Sequence, residues 1–257
     1  MGLAFIPLYI KYLGMEAYGL IGVFATLQAW LVLLDMGLSQ TLNREMARFL
    51  GGKHTAQSIR DLLRSMEIIY IFIAIVIALG GISAAPWLSK NWLQVERLPF
   101  EVVVQSLTIT GGVIALRWLG GLYRSAIMGL QEQVWINISN MVFATLRGMG
   151  TVIVLAWVST TIQAFFVYQG LVAGLETAVL GVMLQRLLPC APKRARFSFA
   201  ALQQVWRFAG GILGITLLSL LLTQIDKVLL AKLLSLTEFG YYTLASVVTS
   251  ALYLIVS

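Results

Sequence analysis

Long apolar runs alternate with short polar connections along the chain, and this pattern predicts membrane-spanning helices. A helix crosses a bilayer in about 20 mostly apolar residues, and runs of that length recur here. Residues 1–12 are apolar but shorter, so we expect them to be the last turns of a first helix whose beginning is missing. The predicted spans are Tyr18–Leu34, Met66–Ala85, Val102–Leu122, Val134–Val158, Ile162–Leu184, Trp206–Leu230 and a last, shortened one that opens at Phe239.

Two connections have a pattern of their own. Leu42–Ile69 has helical charge spacing with apolar residues between, which predicts amphipathic helix on either side of the Gly51-Gly52 break, lying on the membrane surface. Leu188–Phe199 combines two prolines with three basic residues, which predicts a linker and a domain boundary.

Composition agrees with a membrane protein. The chain is 59% hydrophobic and 11% charged, whereas a soluble domain carries about 25% charged residues. The net charge of +7 lies in loops between spans, so we expect anionic lipid headgroups rather than nucleic acid as partners. The single cysteine, Cys190, excludes an internal disulfide. With one histidine, His54, the chain offers little for a His/Cys metal site, and we expect no cofactor.

The Lys and Arg residues sort into alternate connections, as expected when basic loops stay in the cytoplasm. Four fall on the outer side: Lys11, Lys90, Arg97 and Lys232. Eleven fall on the predicted cytoplasmic side: Arg44, Arg48, Lys53, Arg60, Arg64, Arg124, Arg186, Lys193, Arg194, Arg196 and Arg207. Three remain inside apolar runs, and these are the first candidates for a functional role: Arg117, Arg147 and Lys227.

Arg147 lies near the middle of its predicted span, where a charge is costly and usually faces a cavity or a partner. On a regular helix, Gln133, Asn140 and Thr151 fall within about 40° of it, which predicts a polar stripe on a cavity wall. The alternative is a structural arginine paired with Glu176 or with backbone carbonyls.

Arg117 and Glu176 leave two interpretations each. Arg117 shares its face with Arg124, and it either contacts substrate or extends to the headgroups. Two arginines facing one cavity would suit a pyrophosphate, which guanidinium binds with two parallel hydrogen bonds. Glu176 is either a coupling site for a proton or cation, or the counter-ion of an arginine; we favour the counter-ion.

Two stretches resemble the polysaccharide transporter (O-antigen flippase) branch of the multidrug/oligosaccharidyl-lipid/polysaccharide exporter superfamily. The first is Pro7–Gly19 (PLYIKYLGMEAYG), followed by Leu34–Leu38 (LDMGL) and Arg44. The second is Gln224–Ser235 (QIDKVLLAKLLS), ending in Glu238–Tyr242 (EFGYY). The positions expected to be structural in these motifs are Gly19, Asp35, Gly37, Arg44, Lys227 and Gly240.

The two stretches also resemble each other, since Lys11 and Lys232 each precede a glycine, Gly19 or Gly240, by eight residues. Family members consist of two similar six-helix lobes around a central cavity, and internal repeats are common in transporters. The resemblance therefore implies an all-α integral membrane bundle. Residues 1–188 would form the N-terminal lobe, 189–205 a cytoplasmic linker, and 206–257 the first helix and part of the second helix of another lobe, as in a fragment of a longer protein.

The resemblance implies a non-enzymatic flippase for an undecaprenyl-pyrophosphate-linked oligosaccharide in a bacterial or archaeal cytoplasmic membrane, working with other polysaccharide assembly proteins. Arg147, Arg117 and Asn140 are then the expected pyrophosphate-binding residues, and Glu176 and Asp226 are candidates for coupling. Asp226 with Lys227 also fits a structural anchor, and Asp35 a helix cap.

Two other functions remain in view. A drug/cation antiporter of the same superfamily should have acidic rather than basic residues in its cavity. An oligosaccharide polymerase or ligase would be expected to carry a large outer loop. The longest predicted outer loop, Pro86–Phe100, is short and includes Trp87 and Trp92.

Overall fold

The computed structural model describes residues 2–30, 35, 37–189, 191, 193, 195–198, 214, 217–219 and 221–256. Among these residues the fold is helical throughout, which confirms the all-α prediction. The helices are α1 Gly2–Leu13, α2 Met15–Trp30, α3 Leu38–Leu50, α4 Ala56–Asn91, α5 Phe100–Gly129, α6 Gln133–Thr145, a π-helical turn Leu146–Gly150, α7 Thr151–Trp157, α8 Ile162–Leu187, α9 221–233 and α10 Leu236–Val256. The predicted helix start at Trp206 and much of the basic linker lie outside the described residues.

Four of the described helical stretches are long and apolar enough to cross a membrane: α4, α5, α6–α7 and α8. The connections at one end of the bundle include 51–55 and 130–132. Arg60 on α4 donates there through Nε to the Pro189 carbonyl at 2.8 Å. We call this the cytoplasmic end, after the charge rule. At the outer end, Leu236 N–H donates to Gln94 O at 2.9 Å, and Glu16 Oε1 accepts from Glu96 N–H at 2.7 Å.

Three sequence predictions about these elements are wrong in part. Helix is present on either side of the Gly51-Gly52 break, as predicted, but the part after the break continues into the first long span, because α4 runs from Ala56 to Asn91. Trp87 accordingly lies in α4 rather than in a loop, and the outer connection shrinks to residues 92–99. Arg124, assigned to a cytoplasmic connection, lies in α5.

The apolar core is divided into two clusters. On α5 the outer cluster takes residues from Val103 to Ile114, and the cytoplasmic cluster takes residues from Leu122 to Ile127. The same division occurs on α8, with residues from Ile162 to Ala173 in the outer cluster and Leu180 and Leu184 in the cytoplasmic one. The gap on α5 contains Arg117, and the gap on α8 contains Glu176 and Thr177. Charged side chains therefore lie between the two apolar cores, in what we call the polar layer.

Candidate functional site

The polar layer contains three arginines and one glutamate, which we call the arginine cluster: Arg117 and Arg124 from α5, Arg147 from the π-helical turn, and Glu176 from α8. Arg147 Nη2 lies 3.2 Å from Glu176 Oε2, and Arg124 donates to the other oxygen of the same carboxylate. The Glu176 side chain is 6% exposed, against 34% for Arg124 and 25% for Arg147. The structure therefore places Glu176 as the shared counter-ion of two arginines whose side chains are partly exposed.

Arg117 has neutral partners. Its Nη1 donates to Gln28 Oε1 at 2.7 Å and its Nη2 donates to Gln169 Oε1 at 2.9 Å. The guanidinium also lies over the ring of Phe24, 5.1 Å from the centroid. Within the described ranges no carboxylate lies within ion-pair distance of it. The side chain is thus held inside the bundle and does not extend to the headgroups.

The charges of the arginine cluster do not balance. Three arginines against one glutamate leave a surplus of two positive charges. Arg117 also lies within electrostatic range of both Arg147 and Glu176. Charges in a low-dielectric interior interact strongly and are weakly screened, so this arrangement favours an anion that supplies the missing negative charge.

Asn140 belongs to the site, but through a different arginine from the one expected. Its Oδ1 accepts a hydrogen bond from Arg124. The predicted stripe of Asn140, Arg147 and Thr151 assumes a regular helix, and the π-helical turn changes the rotation between its two ends. Thr151 is instead fully buried, where it donates to the Arg147 carbonyl and accepts from Gln169 Nε2 at 3.1 Å.

The π-helical turn is held by two tyrosines. Tyr168 on α8 donates to Leu146 O at 3.0 Å, and Tyr9 on α1 donates to Gly148 O at 3.3 Å. A π-helical turn leaves carbonyl groups without their usual partners, and the two hydroxyls supply partners. Such turns are often found at functional sites, and this one carries Arg147.

Two glycines in the π-helical turn allow the neighbouring helices to approach. A Cβ on Gly148 would lie 2.3 Å from the ring of Phe5, and one on Gly150 would lie 1.8 Å from the Tyr168 hydroxyl. Any larger residue would displace the Phe5 ring or the Tyr168 hydroxyl, so these glycines leave room for the two aromatic side chains beside the turn that carries Arg147.

Beside the arginine cluster lies a cavity of about 300 Å³ between α2, α3, α4 and α5, which we call the α2–α5 cavity. Arg117 lines it together with Gln28 and Asp35. Asp35 accepts from Ser39 N–H at 3.2 Å and from Ser39 Oγ at 2.7 Å, so it caps the start of α3 as the sequence predicts. Tyr70 also donates to Asp35.

The motif glycines lie at a reciprocal crossing of α2 and α10. A Cβ on Gly19 would lie 2.0 Å from Leu236 O, and a Cβ on Gly240 would lie 2.6 Å from Met15 O. Met15 and Leu236 are separated by 221 residues, as are Gly19 and Gly240. Each glycine therefore meets the carbonyl equivalent to the one its partner meets, which is the geometry of a local twofold axis.

Asp226 and Lys227 lie on α9, away from the arginine cluster contacts. Asp226 Oδ2 accepts a hydrogen bond from Tyr242 at 2.5 Å, which ties α9 to α10. Lys227 lines a groove of about 150 Å³ that Tyr242 and Gly22 also line. The structure brings neither residue to Arg147, and it gives Asp226 an anchoring contact.

At the cytoplasmic end, Glu45 on α3 is the centre of a smaller ionic group. Its carboxylate contacts Arg44 at 2.9 Å, Arg48 at 3.1 Å and His54 Nε2 at 2.7 Å. Burial acts to raise the pKa of Glu45, but the hydrogen bonds from His54, Arg44 and Arg48 outweigh it and lower the pKa from its usual value of 4.5. Arg44 thus has a structural contact, as the motif predicts.

Several residues of the site were not found from sequence. Arg124 was assigned to a loop, although its position two helical turns after Arg117 places both on one face. Gln28 and Gln169 contact Arg117 from other helices, and nothing in the sequence pairs them with it. Tyr9 and Tyr168 act through the π-helical turn, for which the apolar pattern carries no signal.

A family profile described as polysaccharide biosynthesis protein matches residues 1–257. The chain belongs to this family. Its membership confirms the resemblance to polysaccharide transporters, and with the apolar helices it establishes a multi-pass membrane protein of polysaccharide biosynthesis and export. No curated protein and no solved structure matches the chain significantly.

Proposed function

We propose that this member of the polysaccharide biosynthesis family moves an undecaprenyl-pyrophosphate-linked oligosaccharide across a bacterial cytoplasmic membrane, without chemical change. The observation that carries the proposal is the surplus of two positive charges in the arginine cluster, between two apolar cores. A pyrophosphate is the part of this substrate with the matching charge. Guanidinium groups bind phosphate oxygens with paired hydrogen bonds.

The contacts suggest how the head group would be held. Among the described residues Arg117 has only neutral hydrogen-bond partners, so its charge is available to an anion without breaking an ion pair. Arg124 and Arg147 share one carboxylate and remain partly exposed, so a pyrophosphate would compete with Glu176 for them. The lipid tail would stay in the bilayer, and membrane lipids and other polysaccharide assembly proteins would be the further partners.

Alternating access would supply the movement. We propose that residues 1–188 form one lobe and that the helices after residue 206 belong to a second. Their contacts at the outer end include the crossing at Gly19 and Gly240, and Lys232 Nζ lying 5.2 Å from the Trp92 ring centroid. Separation of these contacts would open the polar layer outward.

The sign of the charge distinguishes this proposal from a drug/cation antiporter, whose cargo would require an acidic surplus. A polymerase or ligase would be expected to carry a large outer loop with reactive groups. The longest outer connection among the described residues, 92–99, offers Gln94, Glu96 and Arg97 as its polar side chains. The contacts of these loop residues are with α2 and with 232–237, which favours a structural role.

The test is Arg147→Ala in the full gene product, expressed in cells that lack the native copy. We expect loss of surface polysaccharide and accumulation of the lipid-linked oligosaccharide, with the protein still inserted in the membrane at its usual level. Arg97→Ala is the matched control. Arg97 is exposed at the outer end, so cells that carry this variant should export polysaccharide normally. Normal export by Arg147→Ala would contradict the proposal.

A further inference from the structure

The α2–α5 cavity differs in its chemistry from the arginine cluster. Its volume of about 300 Å³ lies at the lower end of the range for small-molecule sites, roughly 300–1,000 Å³. The described residues that line it include one cation, Arg117, and one anion, Asp35. Arg117 already belongs to the arginine cluster, so the charge that this cavity adds is the negative charge of Asp35. A carboxylate disfavours a second anion here, so this cavity suits a neutral polar ligand where the arginine cluster suits an anion.

The polar lining can both donate and accept hydrogen bonds. Gln28 and Gln40 carry amide groups with an acceptor oxygen and two donor hydrogens each, and Asp35 accepts only. The Gln40 side chain is exposed and has no hydrogen-bond partner among the described residues. A ligand rich in hydroxyl groups matches this lining, because each hydroxyl is at once a donor and an acceptor.

An aromatic wall completes the cavity. The rings of Tyr70 and Trp118 are stacked with their centroids 4.9 Å apart and their planes inclined by 21°. Both residues line the cavity. The Tyr70 side chain is 1% exposed, so Trp118 supplies the accessible apolar surface of this wall. A pyranose offers the complementary combination of an apolar C–H face and a rim of hydroxyls.

Two donors at this wall have no acceptor among the described residues. Arg117 Nε and Trp118 Nε1 are both buried, and neither makes a hydrogen bond. A buried donor left without a partner costs about 1–3 kcal/mol. Both are covered in this structure, so a side-chain rotation would accompany any contact with a ligand oxygen, and that contact would recover part of the cost.

We propose that the α2–α5 cavity binds one neutral hexose unit of the oligosaccharide while the arginine cluster binds the pyrophosphate. The inference rests on the proposed function, since it assigns a second part of the same substrate. Arg117 joins the two sites: it lines the cavity, donates to Gln28 on that side, and donates to Gln169 toward the arginine cluster. Because Arg117 borders both sites, the unit that the cavity would bind is the sugar next to the pyrophosphate.

The test uses saturation-transfer NMR on the full gene product in detergent, with methyl glucoside and methyl N-acetylglucosaminide as probes. Both glycosides should receive saturation from the wild-type protein. Trp118→Phe removes the indole N–H and keeps a ring, and Gln40→Ala removes an exposed amide that the fold does not need. Each change should weaken glycoside binding by about fivefold or more, as expected for the loss of one good hydrogen bond.

The controls are matched by residue type. Trp157→Phe alters a tryptophan that is 84% exposed at the outer end of α7, and Gln105→Ala alters an exposed glutamine on α5; both should bind the glycosides as the wild type does. Unchanged binding in Trp118→Phe and Gln40→Ala would overturn the proposal. Equal saturation of glycerol would also overturn it, as would displacement of the glycosides by glycerol phosphate, which would indicate a lipid headgroup site.

A separate measurement keeps this inference distinct from the proposed function. Inorganic pyrophosphate is titrated into the same samples and followed by phosphorus NMR. Pyrophosphate binding without glycoside binding would refute only the sugar site. If the wild-type protein does not bind pyrophosphate, the proposed function is refuted instead.

Discussion

Substitution of the crossing glycines offers a quantitative test of the contact between α2 and α10. In Gly19→Ala the new Cβ would lie 2.0 Å from Leu236 O, whereas ordinary contact begins at 3.4 Å, so the helices must separate by about 1.4 Å. In Gly240→Ala the new Cβ would lie 2.6 Å from Met15 O, so the helices must separate by about 0.8 Å. Both obstacles are backbone carbonyls, so no side-chain rotation relieves them.

Overpacking of this kind costs about 1–3 kcal/mol, with Gly19→Ala at the upper end because its overlap is larger. At about 2–4 °C per kcal/mol for a domain of this size, the melting temperature should fall by about 2–12 °C. The assay is thermal unfolding of the purified full gene product in detergent. Gly112→Ala is the control, since nothing lies within 4 Å of its Cβ position.

Gly112→Ala should leave the melting temperature unchanged or raise it, because alanine favours a helix over glycine. Equal melting temperatures for Gly19→Ala and the wild type would refute the reciprocal crossing. A greater loss for Gly240→Ala than for Gly19→Ala would contradict the ranking of the two overlaps.

Two further predictions concern carboxylates. Glu176→Gln keeps a hydrogen-bonding group but removes the counter-ion, so we expect a loss of unfolding free energy of about 1–3 kcal/mol in thermal or denaturant unfolding, together with tighter pyrophosphate binding; weaker binding would contradict the counter-ion role. For Glu45, the lowered pKa means that its stabilising contribution is complete above pH 4.5 and is lost as the pH falls through the folded-state value. Melting curves between pH 7 and 3 should therefore show a smaller acid loss for Glu45→Gln than for the wild type, and equal losses would refute this.

Apolar run length was enough to place most of the helices, because a bilayer demands about 20 apolar residues per span. The ends were less accurate where polar sequence continues a helix. The α4 helix begins ten residues before its predicted apolar span at Met66, because charged residues in helical spacing extend its first turns beyond the apolar run. It also continues past the predicted end at Ala85 to Asn91. Because the predicted span ended at Ala85, Trp87 was assigned to a loop, whereas it lies in α4.

The arginine cluster was only partly predictable. Arg147 and Glu176 were recognisable because each interrupts an apolar run, and their pairing was one of two interpretations considered. Arg124 was missed because the charge rule assigns a basic residue to the nearest connection, whereas its side chain contacts Glu176 and Asn140. The π-helical turn was missed because helical periodicity assumes a constant rotation per residue.

Binding of undecaprenyl pyrophosphate to the purified full gene product in lipid nanodiscs tests the central claim most directly. A hydrogen bond to a charged group contributes about 1.5–3 kcal/mol, so Arg124→Ala and Arg147→Ala should each weaken binding by about 10- to 150-fold. Arg97→Ala, at the exposed outer connection, should bind as the wild type does. The same affinity in all four proteins would show that the arginine cluster does not hold the pyrophosphate.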